Sequence, residues 1–375
     1  MCGIVLAFTP REPTEVSTVA AMAREMRHRG PDDEGFLLFG GTGGPRLLSG
    51  ADTPRVVADA VTPWQPHGRV ADTPRLAAPL VMGHRRLAIV DLSPWGHQPM
   101  SRNGRWHAVY NGEIYNHLEL RAELESLGHV FVTHSDTEVL LAALAEWGPQ
   151  ALERCNGMWA FAVLDAERRT LLVSRDRFGV KPLYLWQGAD GALLMASEIK
   201  ALFVHPTVRA AASTERCVDY MRRGPRRWES AKELEGVTRI TDGNWAEVSL
   251  DAPAPLRPQP FWRRPRVADP AEPFDPQRAD HLADRYVELL DDAVRLRLRA
   301  DVRVGTALSG GLDSSSIAWL VNRSLRRKGN DARQEVFSSV YLGAGVRTAD
   351  ESDFIARVAA QLQVRSNTIE PRVED

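Results

Sequence analysis

Two short stretches hold residues arranged for chemistry. The chain opens MCGIVLAF, with Cys2 behind the initiator methionine and ahead of a short apolar run. Removal of Met1 would leave a thiol and a free α-amino group on one residue. The thiolate is a strong nucleophile, and a terminal amine with an ordinary pKa near ~8 can take and return a proton. The plain alternative is a small apolar residue tucked into a first strand. The second stretch is LSGGLDSSS at 308–316, between a strand pattern and a helix pattern. Its two glycines let the backbone turn sharply and approach a ligand closely. Small hydroxyls and N–H groups then open a helix whose positive end favours phosphate. Asp313 adds a carboxylate that could hold Mg²⁺ on that phosphate. The loop lacks the Gly-Lys-Ser/Thr ending of a Walker motif and the G-x-G-x-x-G spacing of a dinucleotide fold.

Four further segments stand out: MRHRGPDDEG at 26–35, GHRRLAIVD at 83–91, YNGEIYNH at 110–117 and SDTEV at 135–139. Singly, each has a bland reading. Asn111-Gly112 is a strong hairpin-turn signal, Asp136 a helix cap, the arginines of HRR a solvated strand end, and Arg29-Gly30-Pro31-Asp32 a loop corner near a pocket.

The elements that must position these residues differ along the chain. Up to about residue 250, strand-length apolar runs such as GIVLAF, LAIVDL and GMWAFAVLD alternate with turn signals. Helix patterns interrupt them at 16–26, 116–127 and 135–147, the last with Ser135 or Asp136 as cap and Glu138 at capping-box spacing. This predicts a mainly antiparallel α+β domain. Residues 41–75 read as a long, mobile surface insertion. Residues 251–277 contain eight prolines and read as an extended linker. Beyond them a helix at 279–298 precedes strand, loop, helix, strand and helix, the start of a parallel α/β sheet.

The chain has 375 residues with 43% hydrophobic and a formal net charge of -2. These values suit two or three globular domains and argue against a dedicated nucleic-acid binder. No apolar run approaches the ~20 residues of a membrane span, and the amino end has no basic segment of a signal peptide. Cys2, Cys155 and Cys217 are too far apart for a disulfide framework or a zinc site. A reducing cytoplasm is the expected compartment, and Cys155 and Cys217 the expected bystanders.

Taken together, the amino-terminal segments resemble, in order and spacing, the glutaminase domain of asparagine synthetases and other class II glutamine amidotransferases. The resemblance runs from MCGI to RDRFGVKPLY and ASEIKAL near residue 201. The 308–316 loop resembles the pyrophosphate loop of N-type ATP pyrophosphatases, so the chain has the domain order of an asparagine synthetase. The resemblance implies an α+β N-terminal-nucleophile hydrolase domain of stacked antiparallel sheets with helices, over residues 2–205. A connecting segment and linker, 206–277, would follow, and then the first part of a parallel-sheet ATP pyrophosphatase domain at 278–375.

The resemblance also implies roles. Cys2 is the nucleophile towards glutamine, and the Asn111 amide and Gly112 N–H hold the oxyanion. Arg86 would pair with the substrate carboxylate, with the backbone of Leu87, Ala88, Ile89 and Val90 framing the pocket. Glu113 and Asp136 would take the substrate ammonium. Ser309, Gly310, Gly311, Asp313 and Ser314 would grip the pyrophosphate of ATP, and Leu308 and Val340, at two strand ends, would border adenine. Mg²⁺ would ride on the pyrophosphate near Asp313. Ammonia would pass to an acyl-adenylate of aspartate, or of another carboxylate acceptor, giving asparagine, glutamate, AMP and pyrophosphate. No nucleic-acid or membrane partner is expected, and a homodimer is allowed. The chain stops soon after the second α/β unit, so it is expected to be a fragment or unable to finish the synthetase half-reaction. Relatives that close β-lactam or macrolactam rings with an internal amine are the alternative; many of those lose the cysteine, whereas Cys2 is present here.

Overall fold

The apolar run after Cys2 is buried on both faces as strand β1 (Gly3–Phe8). Ile4, Leu6 and Phe8 enter one core and Val5 and Ala7 another, so the alternation of a strand serves two layers at once. The computed structural model describes residues 1–40, 43–224, 234–265, 275–327, 334–341 and 350–371. The chain divides into two compact units, Met1–Arg266 and Val267–Asp375.

In the first unit β1 lies inside a seven-stranded antiparallel sheet. The order is β13 (Val237–Arg239), β11 (Tyr184–Gln187), β12 (Leu193–Ala196), β1, β6 (Leu80–Arg86), β3 (Asp33–Phe39) and β4 (Arg46–Ser49). A six-stranded antiparallel sheet stacks on it: β15 (Gln259–Pro260), β14 (Asn244–Ser249), β10 (Thr170–Arg175), β9 (Gly157–Asp165), β8 (Trp106–Ile114) and β7 (Met100–Arg102). A short ribbon joins β2 (Thr14–Glu15) to β5 (Ala77–Ala78). Helices α1 (Val16–Arg24) and α6 (Ile199–Leu202) cover the outer face of the first sheet, and α3 (His117–Ser126), α4 (Asp136–Trp147) and α5 (Ala151–Arg154) lie beside the second. Helix α1 shows why its pattern is helical. Val16, Val19, Met22 and Ala23 form one stripe and are fully buried, each large side chain stabilising by about 1.5–3 kcal/mol.

Two expectations are corrected. Residues 41–75 are not a mobile insertion where described. Leu47 and Leu48 pair with β3 as part of β4, a short helix α2 (Arg55–Ala58) follows, and Trp64 is buried edge-on against Trp95 at 5.7 Å. Residues 206–277 are not simply a connector. They include helix α7 (Thr214–Arg223), and β13, β14 and β15 extend both sheets. Phe261 stacks on Trp159 at 5.6 Å. Cross-strand pairing and that ring contact draw the proline-rich start of the segment onto the first unit; its residues 266–274 lie outside the described residues.

The second unit has the expected parallel sheet, in the order β16 (Thr306–Ala307), β17 (Glu335–Ser339), β18 (Arg365–Ile369). Helices α8 (Pro276–Arg297), α9 (Leu312–Arg327) and α10 (Ser352–Leu362) accompany it. Strand β18 adds a third member to the two strands that the sequence pattern predicts.

The two sheets of the first unit are joined by a hydrogen bond between His84 Nε2 on β6 and the Tyr110 carbonyl on β8, 3.0 Å apart. The acceptor is a carbonyl, so Nε2 carries the proton. Burial pulls the His84 pKa down to about 3 and that of His107 down to about 4. Both folded values lie below the unfolded value of 6.5. Their contribution to stability is therefore complete above pH 6.5 and is lost as pH falls towards the folded values. Each histidine costs about 1.4 kcal/mol per pH unit in that window. Urea unfolding at a series of pH values should show this slope, and His84→Gln, whose amide reaches the same acceptor without titrating, should reduce it by one histidine's share.

Candidate active site

Strand β1 is antiparallel to β6 with Gly3 opposite Arg85. That register delivers Cys2 to the end of β6, at a cavity of about 240 Å³. Arg86, Leu87, Ile89 and Val90 line it from the end of β6 and the following loop. Asn111, Gly112 and Glu113 reach it from β8, and Asp136 from the start of α4. Ala88 does not line the cavity; its N–H donates to Asp32 at 2.9 Å and anchors the loop.

The Cys2 thiol is 3.4 Å from the Leu87 nitrogen, which donates to it, and 3.6 Å from the Leu87 carbonyl, which accepts from it. Burial pushes the thiol up; the Leu87 N–H, the terminal ammonium, Arg86 and Lys181 pull the other way. Arg29 holds the nucleophile from behind. Its Nε donates to the Cys2 carbonyl at 2.9 Å and its guanidinium reaches Glu198 at 3.1 Å. The loop corner is close-packed at Gly30, where an added Cβ would sit 2.4 Å from the Arg85 carbonyl carbon. The structural role expected for 29–32 is thus a clamp on the residue carrying the thiol.

Asn111-Gly112 is not a turn. Both residues lie inside β8, opposite Ala160 and Trp159. Along β8 alternate N–H groups face away from β9. That of Tyr110 is taken by Gln98 Oε1 at 2.8 Å and that of Ile114 by Asp136 at 2.9 Å. The Gly112 N–H lies on the same edge between them. A Cβ at Gly112 would stand 2.4 Å from the Met158 carbonyl oxygen, so only glycine fits there. The Asn111 amide nitrogen is buried without a hydrogen-bond partner. An unmatched buried donor is uncommon, and this one belongs to a residue lining the cavity at Cys2.

Ser135 is the cap of α4, accepting from the Thr137 N–H at 3.2 Å. Asp136 sits one residue in. Its Oδ2 accepts from the Tyr110 hydroxyl and the Ile114 N–H, each at 2.9 Å. Burial raises its pKa, opposed by those bonds and by His117. The capping box does not close: Glu138 instead accepts from the Val132 and Thr133 N–H groups and from Arg102. Arg86 is less free than expected. It donates to the carbonyls of Val90 and Ser93, both at 3.3 Å, and to that of Asp91. A guanidinium has five donors, so two remain for a ligand.

Four lining residues lie outside MCGI and the four segments singled out in the sequence: Gly96, Gln98, Met158 and Lys181. Only Lys181 has a visible signal, as a cation within the RDRFGVKPLY segment. Cys155 is buried, its thiol pushed up to about 12 by burial, and Cys217 is exposed.

In the second unit the 308–314 loop joins β16 to α9. Gly310 has φ +84°, where a side chain would be strained. The Ser314 hydroxyl lies 2.9 Å from that of Ser309 and accepts from the Ser309 N–H at 3.1 Å. Asp313 stands exposed in the first turn of α9. Leu308 and Val340 end two adjacent parallel strands as expected, but their side chains are buried in this unit's own core. Adenine contact there would fall to backbone. Among the described residues no cluster of three metal-ligating side chains occurs, and no helix is long and apolar enough to cross a membrane.

The profile of the glutamine amidotransferase domain matches residues 67–262, and that of the asparagine synthase domain matches 285–375. The chain belongs to the glutamine-hydrolysing asparagine synthetase family. Asparagine synthetase (glutamine-hydrolyzing) 3 of Bacillus subtilis is 35% identical over 336 residues, 88% of this chain and 46% of that protein. Asparagine synthetase (glutamine-hydrolyzing) 2 of Arabidopsis thaliana is 31% identical over 337 residues, 89% of this chain and 44% of that protein. The chain thus spans about half the length of the asparagine synthetases it matches. A fungal relative, amidase chry2 of Gibberella zeae, is 35% identical over 248 residues, 66% of this chain and 35% of that protein. The stacked antiparallel sheets with flanking helices of the first unit have the α+β architecture expected from the sequence.

Proposed function

We propose that the chain hydrolyses glutamine at Cys2 and supplies the ammonia to an asparagine-forming synthetase reaction in the cytoplasm. The observation that carries this reading is the unmatched Asn111 amide in the cavity that also holds Cys2, Arg86 and Asp136. Once Met1 is removed, the Cys2 amine takes the thiol proton as sulfur attacks the amide carbon. Asn111 Nδ2 and the Gly112 N–H receive the oxyanion. As the adduct collapses, the amide nitrogen takes that proton from the terminal ammonium and leaves as ammonia, and water then frees glutamate from the thioester. Arg86 pairs with the substrate carboxylate, and Asp136 and Glu113 with its ammonium.

In the second unit, Ser309, Gly310, Gly311, Asp313 and Ser314 would hold the pyrophosphate of ATP at the start of α9. Mg²⁺, which suits one carboxylate plus phosphate oxygens, would be held by Asp313 and would neutralise phosphate charge. The acceptor would be aspartate or another carboxylate, activated as an acyl-adenylate, and a homodimer is allowed.

The test is glutamate release from glutamine by the purified chain, read with a coupled dehydrogenase, beside ATP–pyrophosphate exchange with aspartate. Glutamate release is expected. No release of glutamate from a folded protein lacking Met1 would overturn the reading.

A further inference from the structure

Lys181 is a buried cation whose ammonium makes no hydrogen bond or ion pair to a described residue. The residue is 6% exposed and lines the cavity at Cys2. Holding an ammonium at a cavity wall without a counter-ion is costly, so its retention calls for a reason. The turn that presents it is heavily fixed. The Asp176 carboxylate accepts from the N–H groups of Phe178, Val180 and Lys181, each at 3.0 Å. Arg175 donates to the carbonyls of Gly179 and Lys181, at 2.5 and 2.8 Å. Gly179 takes φ +61° there, and a Cβ would lie 2.7 Å from the Arg175 guanidinium.

We propose that Lys181 is a positioning residue of the glutamine-hydrolysing site, its ammonium providing a fixed positive charge beside the Cys2 sulfur and the Glu113 carboxylate. This rests on the reading of Cys2 as nucleophile. That charge stabilises the negative charge that develops on sulfur and keeps the terminal amine neutral, ready to take the thiol proton. It acts within a mixed field. From the 29–32 corner, Arg29 and Asp32 face the amino end, and from β6 Arg86 faces the thiol. From β8 and α4, Glu113, Tyr110 and Asp136 share the cavity, and Asp176 stands behind Lys181 itself. Burial lowers the Lys181 pKa while Glu113 and Cys2 raise it, so the ammonium and these two groups stabilise each other.

The experiment follows the pH dependence of Cys2 alkylation by iodoacetamide in a Cys217→Ser background, where the remaining Cys155 is buried. Lys181→Met should move the midpoint up by about one pH unit, the size of one nearby charge, and Lys181→Arg should restore it. Lys181→Gln, neutral but polar, should shift it as Met does, and decides the matter if the Met variant does not fold. In glutamine hydrolysis the acid limb of kcat/KM should move the same way, with kcat falling more than KM rises. An unchanged alkylation midpoint in both neutral variants would overturn the proposal. Alkylation needs no turnover, so the midpoint alone decides the role of Lys181. A wild-type chain that fails to hydrolyse glutamine would count instead against the proposed function.

Discussion

Glutamate release from glutamine is expected to fall by ~10⁴-fold or more in a Cys2→Ala protein, the scale at which a covalent nucleophile is lost. The fold should be untouched. β1 begins at Gly3, and Arg29 grips the Cys2 main-chain carbonyl, which alanine keeps. A melting temperature equal to wild type, with activity at background, is the predicted pair of results. Cys2→Ser should also be nearly inactive, since the hydroxyl is a much weaker nucleophile near neutral pH. Intact-mass measurement supplies a second check: active preparations should begin at Cys2. Residual turnover in the alanine protein would place the nucleophile elsewhere, and full activity with Met1 attached would remove the terminal amine from the mechanism.

Asn111→Ala separates activity from stability in the opposite way to most buried substitutions. Loss of one oxyanion donor costs about 2.7–4 kcal/mol of transition-state stabilisation, or roughly 10²–10³ in kcat. Removing a buried amide nitrogen that has no partner in the free protein removes a desolvation penalty of about 1–3 kcal/mol. This offsets part of the packing lost, so kcat should collapse while the urea midpoint barely moves. KM should change little, because the amide acts on charge that develops only during reaction. A large loss of stability with kcat preserved would return Asn111 to an ordinary packing role.

Much of the site is legible in the sequence because its parts are local motifs with strict chemistry. The thiol, the Asn-Gly pair, the arginine after His84 and Arg85, and the capped aspartate stand out by residue type and spacing, and the fold brings them to one cavity. What local pattern misjudges depends on distant partners. Asn111-Gly112 reads as a turn until β9 is known to lie alongside. Trp64 reads as part of a loose insertion until Trp95 is seen against it. The segment carrying β14 pairs with β10 some seventy residues earlier, a contact no window of sequence reveals. Lys181 is hidden for a similar reason: its place at the cavity comes from bonds made by Arg175 and Asp176, not from any periodicity.

Strand β1 has its two neighbours at residues 80–86 and 193–196. During synthesis the first of these can pair early, but the second must await nearly two hundred residues of emerging polypeptide. At translation rates of about 5–20 residues per second, that leaves the amino end unlocked for roughly 10–40 s. An aminopeptidase working at the ribosome would meet an open substrate in this interval, and afterwards an exposed Met1 joined to a residue whose carbonyl Arg29 holds. Blocking the nascent terminus with a tag should therefore uncouple folding from maturation, yielding well-folded molecules that never gain their working amine.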